Sequence, residues 1–237
     1  MTRTHAEIAV IGGGHNGLVA ATYLARAGHQ VRVFEARSEL GGAVASREVF
    51  DGVAARLSRF SYLVSLLPTS IIDDLGLRLE LRSRRVRSYT PVGAGGLLIE
   101  RQEGRITRES FRALTGDDRE YQAWMTFEAG LRELAVAVEP TLTEPLPRVA
   151  ELRAQVDQEL WSSVVERPLG QLIEARFADD TVRGVVLTDA MVGTLASAHD
   201  PSLRQNRCFL YHMIGSGDGE CPASSSASFT GVPRCRA

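Results

Sequence analysis

Gly12, Gly14 and Gly17 stand in the string VIGGGHNGLVAA with the spacing G-x-G-x-x-G. That spacing brings a backbone against a pyrophosphate. The first glycine lets the chain turn sharply out of a strand, and the second removes a Cβ from the path of the phosphates. The third lets a following helix pack closely on the strand. A helix opening here adds N–H groups and a partial positive charge. Glu35 follows 23 residues after Gly12. A carboxylate at that distance accepts hydrogen bonds from the ribose hydroxyls of an adenine dinucleotide, and its charge disfavours the 2′-phosphate of NADP. The glycine spacing alone is a weak signal, and Glu35 alone reads as a solvated strand end. Together they define a candidate dinucleotide site.

The elements that must position these residues are legible around them. EIAVI (7–11) is a short apolar run ending at Gly12, as for a buried parallel strand. HNGLVAATYLARA (15–27) places Leu18, Ala21, Leu24 and Ala25 on one helical face, and Gly28 sits at the expected helix end. VRVFE (31–35) reads as a second strand. Strand, turn, helix and strand make a βαβ unit with a right-handed crossover.

The unit alone does not separate NAD from FAD. Gly41-Gly42, six residues after Glu35, lets a loop run close to the pyrophosphate and ribityl side of a cofactor, although Gly-Gly also makes surface turns. GGGHNGLVAATYLARAG followed by VFEARSELGGA resembles the flavin-binding entry of amine-oxidase-like and phytoene-dehydrogenase-related enzymes. SRFSYLVSLLPTSIIDDLGL and MVGTLASAHDPSLRQNRCFLYHMIGSGDGE are similar to the subgroup named after pyridine nucleotide-disulphide oxidoreductase domain-containing protein 2. The resemblance runs from about residue 6 to residue 220. It implies an FAD-dependent oxidoreductase that moves hydride between a hydrophobic substrate and a non-covalent flavin. It also implies cofactor contacts at Gly12, Gly13, Gly14, Gly17, Glu35, Arg37 and Gly42, with Ala36, Gly41 and Ala43 in the same loop. His15 and Asn16 add backbone or side-chain contacts in the turn. No catalytic acid or base is assigned, and His199, Asp200 and His212 are expected to be structural. An NAD-dependent dehydrogenase using the same turn, and a non-catalytic remnant or binding module, are the alternatives.

Beyond the βαβ unit, 36–56 reads as loop with extended pieces and 69–75 as a short helix after Pro68. Strands are expected around Arg84–Thr90 and Leu97–Glu100, with a turn at Gly93–Gly96. Arg82, Arg84, Arg85 and Arg87 form a candidate anion cluster that reads more readily as a solvated strand face. A long amphipathic helix is expected over Asp117–Val138, with Tyr121, Trp124, Leu131, Leu134 and Val138 inward and Asp117, Asp118 and Glu120 in its first turn. Further helices are expected at 148–165, 168–177 and 179–191, and Asp200-Pro201 reads as the start of another through Ile214. The fold class is therefore α/β: a Rossmann-type FAD/NAD(P)-binding βαβ unit with an incomplete parallel sheet and a mostly helical second domain. The expected division is 1–75, 76–220 and a disordered 221–237.

The chain has 237 residues, 44% of them hydrophobic, and a net charge of -2, so nothing in its charge points to nucleic acid. All 27 basic residues are arginine, which removes lysine Schiff-base chemistry. Cys208, Cys221 and Cys235 make no CxxC pair, and no metal site is expected. No run approaches the ~20 apolar residues of a membrane span, which reads as a cytoplasmic protein. Peripheral membrane contact and homo-oligomerisation stay open. At Cys221 both periodicity and family resemblance stop, as after a frameshift or early end; a natural short variant is the alternative. With two parallel strands in evidence, the expectation is impaired FAD binding.

Overall fold

The computed structural model describes residues 7–58, 60, 64, 66–79, 84–102 and 104–215. They fall into two units, divided between residues 64 and 69 and again near residue 83, with residues 66–68 in the second.

In the first unit, β1 (Ile8–Ile11) pairs in parallel with β2 (Val31–Phe34), from Ile8 opposite Val31 to Ile11 opposite Phe34. The Gly12 N–H donates to the Phe34 carbonyl at 2.7 Å and carries the pairing into the turn. α1 (His15–Arg26) makes the crossover. It stops because Gly28 takes φ +93°: its N–H donates to Ala25 O and that of His29 to Leu24 O. Ala21 is buried and Leu18 and Leu24 are half-buried, but Ala25 is exposed, contrary to its expected place on the inner face. A two-stranded sheet is too narrow to cover the whole stripe. The loop after β2 carries a 3-10 turn at Gly42–Val44, then β3 (Ser46–Glu48) antiparallel to β4 (Arg56–Ser58). α2 (Thr69–Leu75) starts directly after Pro68 and is tied to α1 by Arg26, which reaches the Asp74 carbonyl and, at 3.8 Å, its carboxylate.

This unit buries little. Ala21 is its one buried hydrophobic side chain among the described residues, while Ile11 is 81% exposed. Both strands alternate half-buried and exposed positions, so the parallel sheet lacks the two covered faces typical of such sheets.

The second unit holds the core. β5 (Val86–Val92) and β6 (Gly95–Glu100) form an antiparallel hairpin that puts Leu97 and Ile99 fully inward. α3 (Arg105–Thr115) packs on β6 and is stitched to it: Ser110 Oγ accepts from the Leu98 N–H at 2.7 Å, and Thr107 Oγ1 from that of Glu100 at 2.9 Å. α4 (Arg119–Val138) brings Trp124, Phe127, Leu131 and Leu134 inward. α5 (Val149–Arg153), α6 (Gln158–Trp161), a π turn at Ser162–Glu166, α7 (Leu169–Arg176), α8 (Asp180–Met191) and α9 (Arg204–Gly215) complete it. Phe177 sits between Trp124 and Phe127, with ring centroids 6.4 and 5.5 Å away.

Asn206, 1% exposed, ties three of these elements together. Its Oδ1 accepts the Leu169 N–H at 3.1 Å, and its Nδ2 donates to the Val164 and Arg167 carbonyls, each at 2.7 Å.

Several expectations are corrected. Residues 148–165 are not one helix: the chain turns after Arg153, and Asp157 caps a new start by accepting the Leu160 N–H at 2.8 Å. Asp200-Pro201 does not open a helix. Asp200 closes a tight turn on the Ser202 N–H, Leu203 takes φ +57°, and α9 begins at Arg204. Glu120 does stand in the first turn of α4, where it is also buried and accepts the Ala178 N–H at 2.9 Å. Residues 221–237, including Cys221 and Cys235, lie outside the described residues, as does Arg82.

At the α3–α4 corner, Arg108 and Arg112 both grip Asp118. The Arg108 guanidinium is the main cause of a carboxyl held below its usual range, with Arg112 adding to it. A group with its folded pKa depressed contributes stability above its unfolded value of about 3.9, lost as pH falls through the folded value. A carboxyl-carbon NMR titration is therefore expected to place the Asp118 midpoint below that of an ordinary aspartate. A midpoint at or above it contradicts the pairing.

Candidate functional site

The glycine turn is built by backbone contacts that only glycine permits. Gly12 takes φ +100°. A Cβ on Gly17 would stand 2.1 Å from the Gly12 carbonyl oxygen and 3.5 Å from Val10 Cγ1, so α1 can lie this close to β1 only without one. Gly14 is the extended N-cap residue of α1, with no side-chain cap and no acidic residue in the first turn. The first turn of α1 thus supplies no carboxylate of its own to the positive helix end, and the N–H groups of Asn16 and Gly17 have no acceptor within the helix.

The loop after β2 folds back onto this turn. The Gly41 N–H donates to the Gly13 carbonyl at 2.8 Å, and Gly14 and Gly41 form a parallel bridge. Gly41 and Gly42 take φ +114° and +56°. A Cβ on Gly42 would be 3.1 Å from the Gly14 Cα. Gly12, Gly13, Gly14, Gly17, Glu35, Gly41 and Gly42 are thereby brought together. His15 and Asn16 are the first, exposed residues of α1. Ala36, Arg37 and Ala43 are exposed along the returning loop.

Glu35 is not a solvated strand end. Its Oε1 accepts the Arg37 N–H at 2.9 Å and its Oε2 the Gly13 N–H at 2.8 Å. These two backbone donors, that of Arg37 foremost, hold its carboxyl below the usual range. Each carboxylate oxygen has a second lone pair, so acceptor capacity remains for two hydroxyls. Sequence reasoning missed the Gly13 contact, because a backbone donor carries no residue signature. Only the unoccupied Cβ space at Gly13, 2.4 Å from Leu40 Cδ2 and 3.3 Å from Oε2, explains why glycine stands there.

The other described candidates lie in the second unit. Arg87 is engaged with Glu128 at 2.9 Å. His199 Nε2 lies 2.9 Å from Glu174 Oε1, and His212 Nδ1 lies 2.8 Å from the Cys208 carbonyl. The Cys208 thiol donates to the Val192 carbonyl at 2.8 Å, and burial pushes its pKa up, which is the reverse of an activated nucleophile. Among the described residues no three His, Cys, Asp or Glu side chains gather as a metal site would require, and no helix is long and apolar enough to cross a membrane.

A two-stranded parallel βα unit with a glycine turn and a carboxylate at the end of β2 defines a dinucleotide-binding half. Residues 10–73 match the family model of the NAD(P)-binding Rossmann-like domain. Over most of its length the chain is also similar to longer proteins. It is 43% identical over 224 residues to an uncharacterised protein of Mycobacterium tuberculosis, covering 90% of this chain and 42% of that protein. It is 30% identical over 254 residues to pyridine nucleotide-disulfide oxidoreductase domain-containing protein 2 of Mus musculus, covering 90% of this chain and 41% of that one. The chain thus spans about two fifths of the length of these relatives. A triple mutant of putrescine oxidase, redesigned in its cofactor binding, shares the fold: TM-score 0.54 at 23% identity, over 88% of this chain and 43% of that one.

Proposed function

We propose that the first unit binds FAD and that the chain is the cofactor-entry portion of a phytoene-dehydrogenase-like flavin oxidoreductase acting on a hydrophobic substrate. The observation that carries this reading is the closed backbone contact between Gly12–Gly17 and Gly41–Gly42, with Glu35 at its edge. Gly14 and the start of α1, including His15 and Asn16, face the pyrophosphate; Glu35 takes the adenosine ribose through its remaining lone pairs. Ala36 and Arg37 lie on the adenosine side, and Gly41, Gly42 and Ala43 on the ribityl side. When bound, the flavin supplies hydride acceptance and donation. The residues described here bind and orient; none is assigned a proton.

In this 237-residue chain the binding is weak. A sheet that shows two parallel strands among the described residues, over one buried side chain, gives the ligand crevice little support. Flavin fluorescence titration of the purified chain should show saturable FAD binding that is lost on gel filtration, with NAD weaker and NADP weaker still. Absence of any FAD binding, or a preference for NADP, contradicts the dinucleotide assignment. Stoichiometric flavin surviving purification contradicts the weak-binding part.

A further inference from the structure

Gly13 is held through both of its backbone polar groups. Its N–H is bound by Glu35 Oε2 and its carbonyl oxygen by the Gly41 N–H, each at 2.8 Å. The other oxygen of the same carboxylate binds the Arg37 N–H at 2.9 Å, at the start of the loop that returns as Gly41–Gly42. One side chain therefore spans the two backbone segments that form the cradle. A carboxylate that accepts two backbone N–H groups is held in its ionised form, as the lowered pKa of Glu35 reflects.

We infer that Glu35 is a positioning residue, which sets the Gly13–Gly14 backbone and the Arg37–Gly42 loop in their binding shape before any ligand arrives. It thereby governs affinity for phosphate groups that it does not touch. The inference rests on the dinucleotide reading of the site and goes beyond a ribose contact, because a contact alone would leave a ribose-free ligand unaffected.

The test uses the full 15N-labelled chain and its Glu35→Gln and Glu35→Ala variants. Gln has nearly the same shape, but it has one acceptor oxygen and turns an NH2 group toward the second backbone donor. Loss of a hydrogen bond to a charged acceptor is expected to raise the local opening equilibrium about tenfold. Amide exchange at Gly13 or Arg37 should therefore be at least about tenfold faster in Glu35→Gln, and at both positions in Glu35→Ala. Inorganic pyrophosphate, which carries no ribose, should shift the Asn16 and Gly17 amides of the wild type and bind about tenfold more weakly to both variants. Should Glu35→Ala fail to fold, the near-isosteric Gln variant carries the test. A side chain that merely fills space would leave Gln indistinguishable from wild type, and that result overturns the inference. So does pyrophosphate binding that is equal in all three proteins. The exchange measurement needs no ligand, so its failure is distinct from failure of the dinucleotide reading. The latter would appear as a wild-type chain that binds neither pyrophosphate nor FAD, and it overturns the ligand half of the inference.

Discussion

Gly17→Ala is expected to abolish FAD binding and to loosen α1 from β1. The added methyl would meet the Gly12 carbonyl oxygen at 2.1 Å, a backbone atom that cannot swing aside as a side-chain tip can. Either α1 moves off the strand or the turn at Gly12 opens, and both changes pull Gly14 and the helix N-terminus away from where phosphates would sit. Overpacking of this kind costs about 1–3 kcal/mol or more. The first unit has little to offset it, since Ala21 is its one buried hydrophobic side chain among the described residues. The helical second unit should melt as before. Gly184→Ala is a suitable control: it lies inside α8 with nothing within 4 Å of the new Cβ, and alanine is the better helix former. The check is FAD titration together with amide exchange across His15–Arg26. Wild-type behaviour in both would contradict the close-packing account of the turn.

Asn206→Ala is expected to produce the largest loss of stability in the second unit. The substitution leaves the Leu169 N–H and the Val164 and Arg167 carbonyls without the partner that now satisfies them. Two of these three bonds are buried, and each buried group left unpaired costs about 1–3 kcal/mol, so a loss of roughly 2–6 kcal/mol is expected. That is a large part of a typical domain's 5–15 kcal/mol. Asn206→Asp should not rescue it: the acceptor for Leu169 remains, but a carboxylate then faces two carbonyl oxygens. Urea unfolding followed by the fluorescence of Trp124 and Trp161, both in this unit, measures the effect. A shift under about 1 kcal/mol would mean that water or relaxation replaces the side chain.

The parts of the fold legible in the sequence are those fixed by local chemistry. Gly28 marks the end of α1 because a helix that stops needs a left-handed residue there. Pro68 marks the start of α2, and Gly93 the hairpin turn, for equally local reasons. The glycine turn and Gly41-Gly42 were legible as a pair, since positive φ and missing Cβ atoms leave a residue signature. Features that depend on tertiary partners were not. The break inside 148–165 depends on Asp157 capping a new helix, and the π turn after it on packing around Asn206. The Asp200-Pro201 pair carries a helix-start signature, but Leu203 in the left-handed region delays the helix by several residues. Phe127 on α4 meets both Phe177, the extended residue after α7, and Phe209 on α9, and no spacing in the chain announces that meeting. Within the site, the fact that was out of reach is the Glu35–Gly13 bond. It converts a residue read as a ribose acceptor into part of the cradle's own frame.

In the proposed function, the turn at Gly12–Gly17, Glu35 and the Gly41–Gly42 loop form one dinucleotide site in the first unit. An amide-shift map of the 15N-labelled chain with added FAD tests it most directly. Saturable shifts concentrated at residues 12–17, 35–37 and 41–43 are expected, and none of them in Gly17→Ala. Shifts confined to the second unit, or none at saturating FAD, would contradict it.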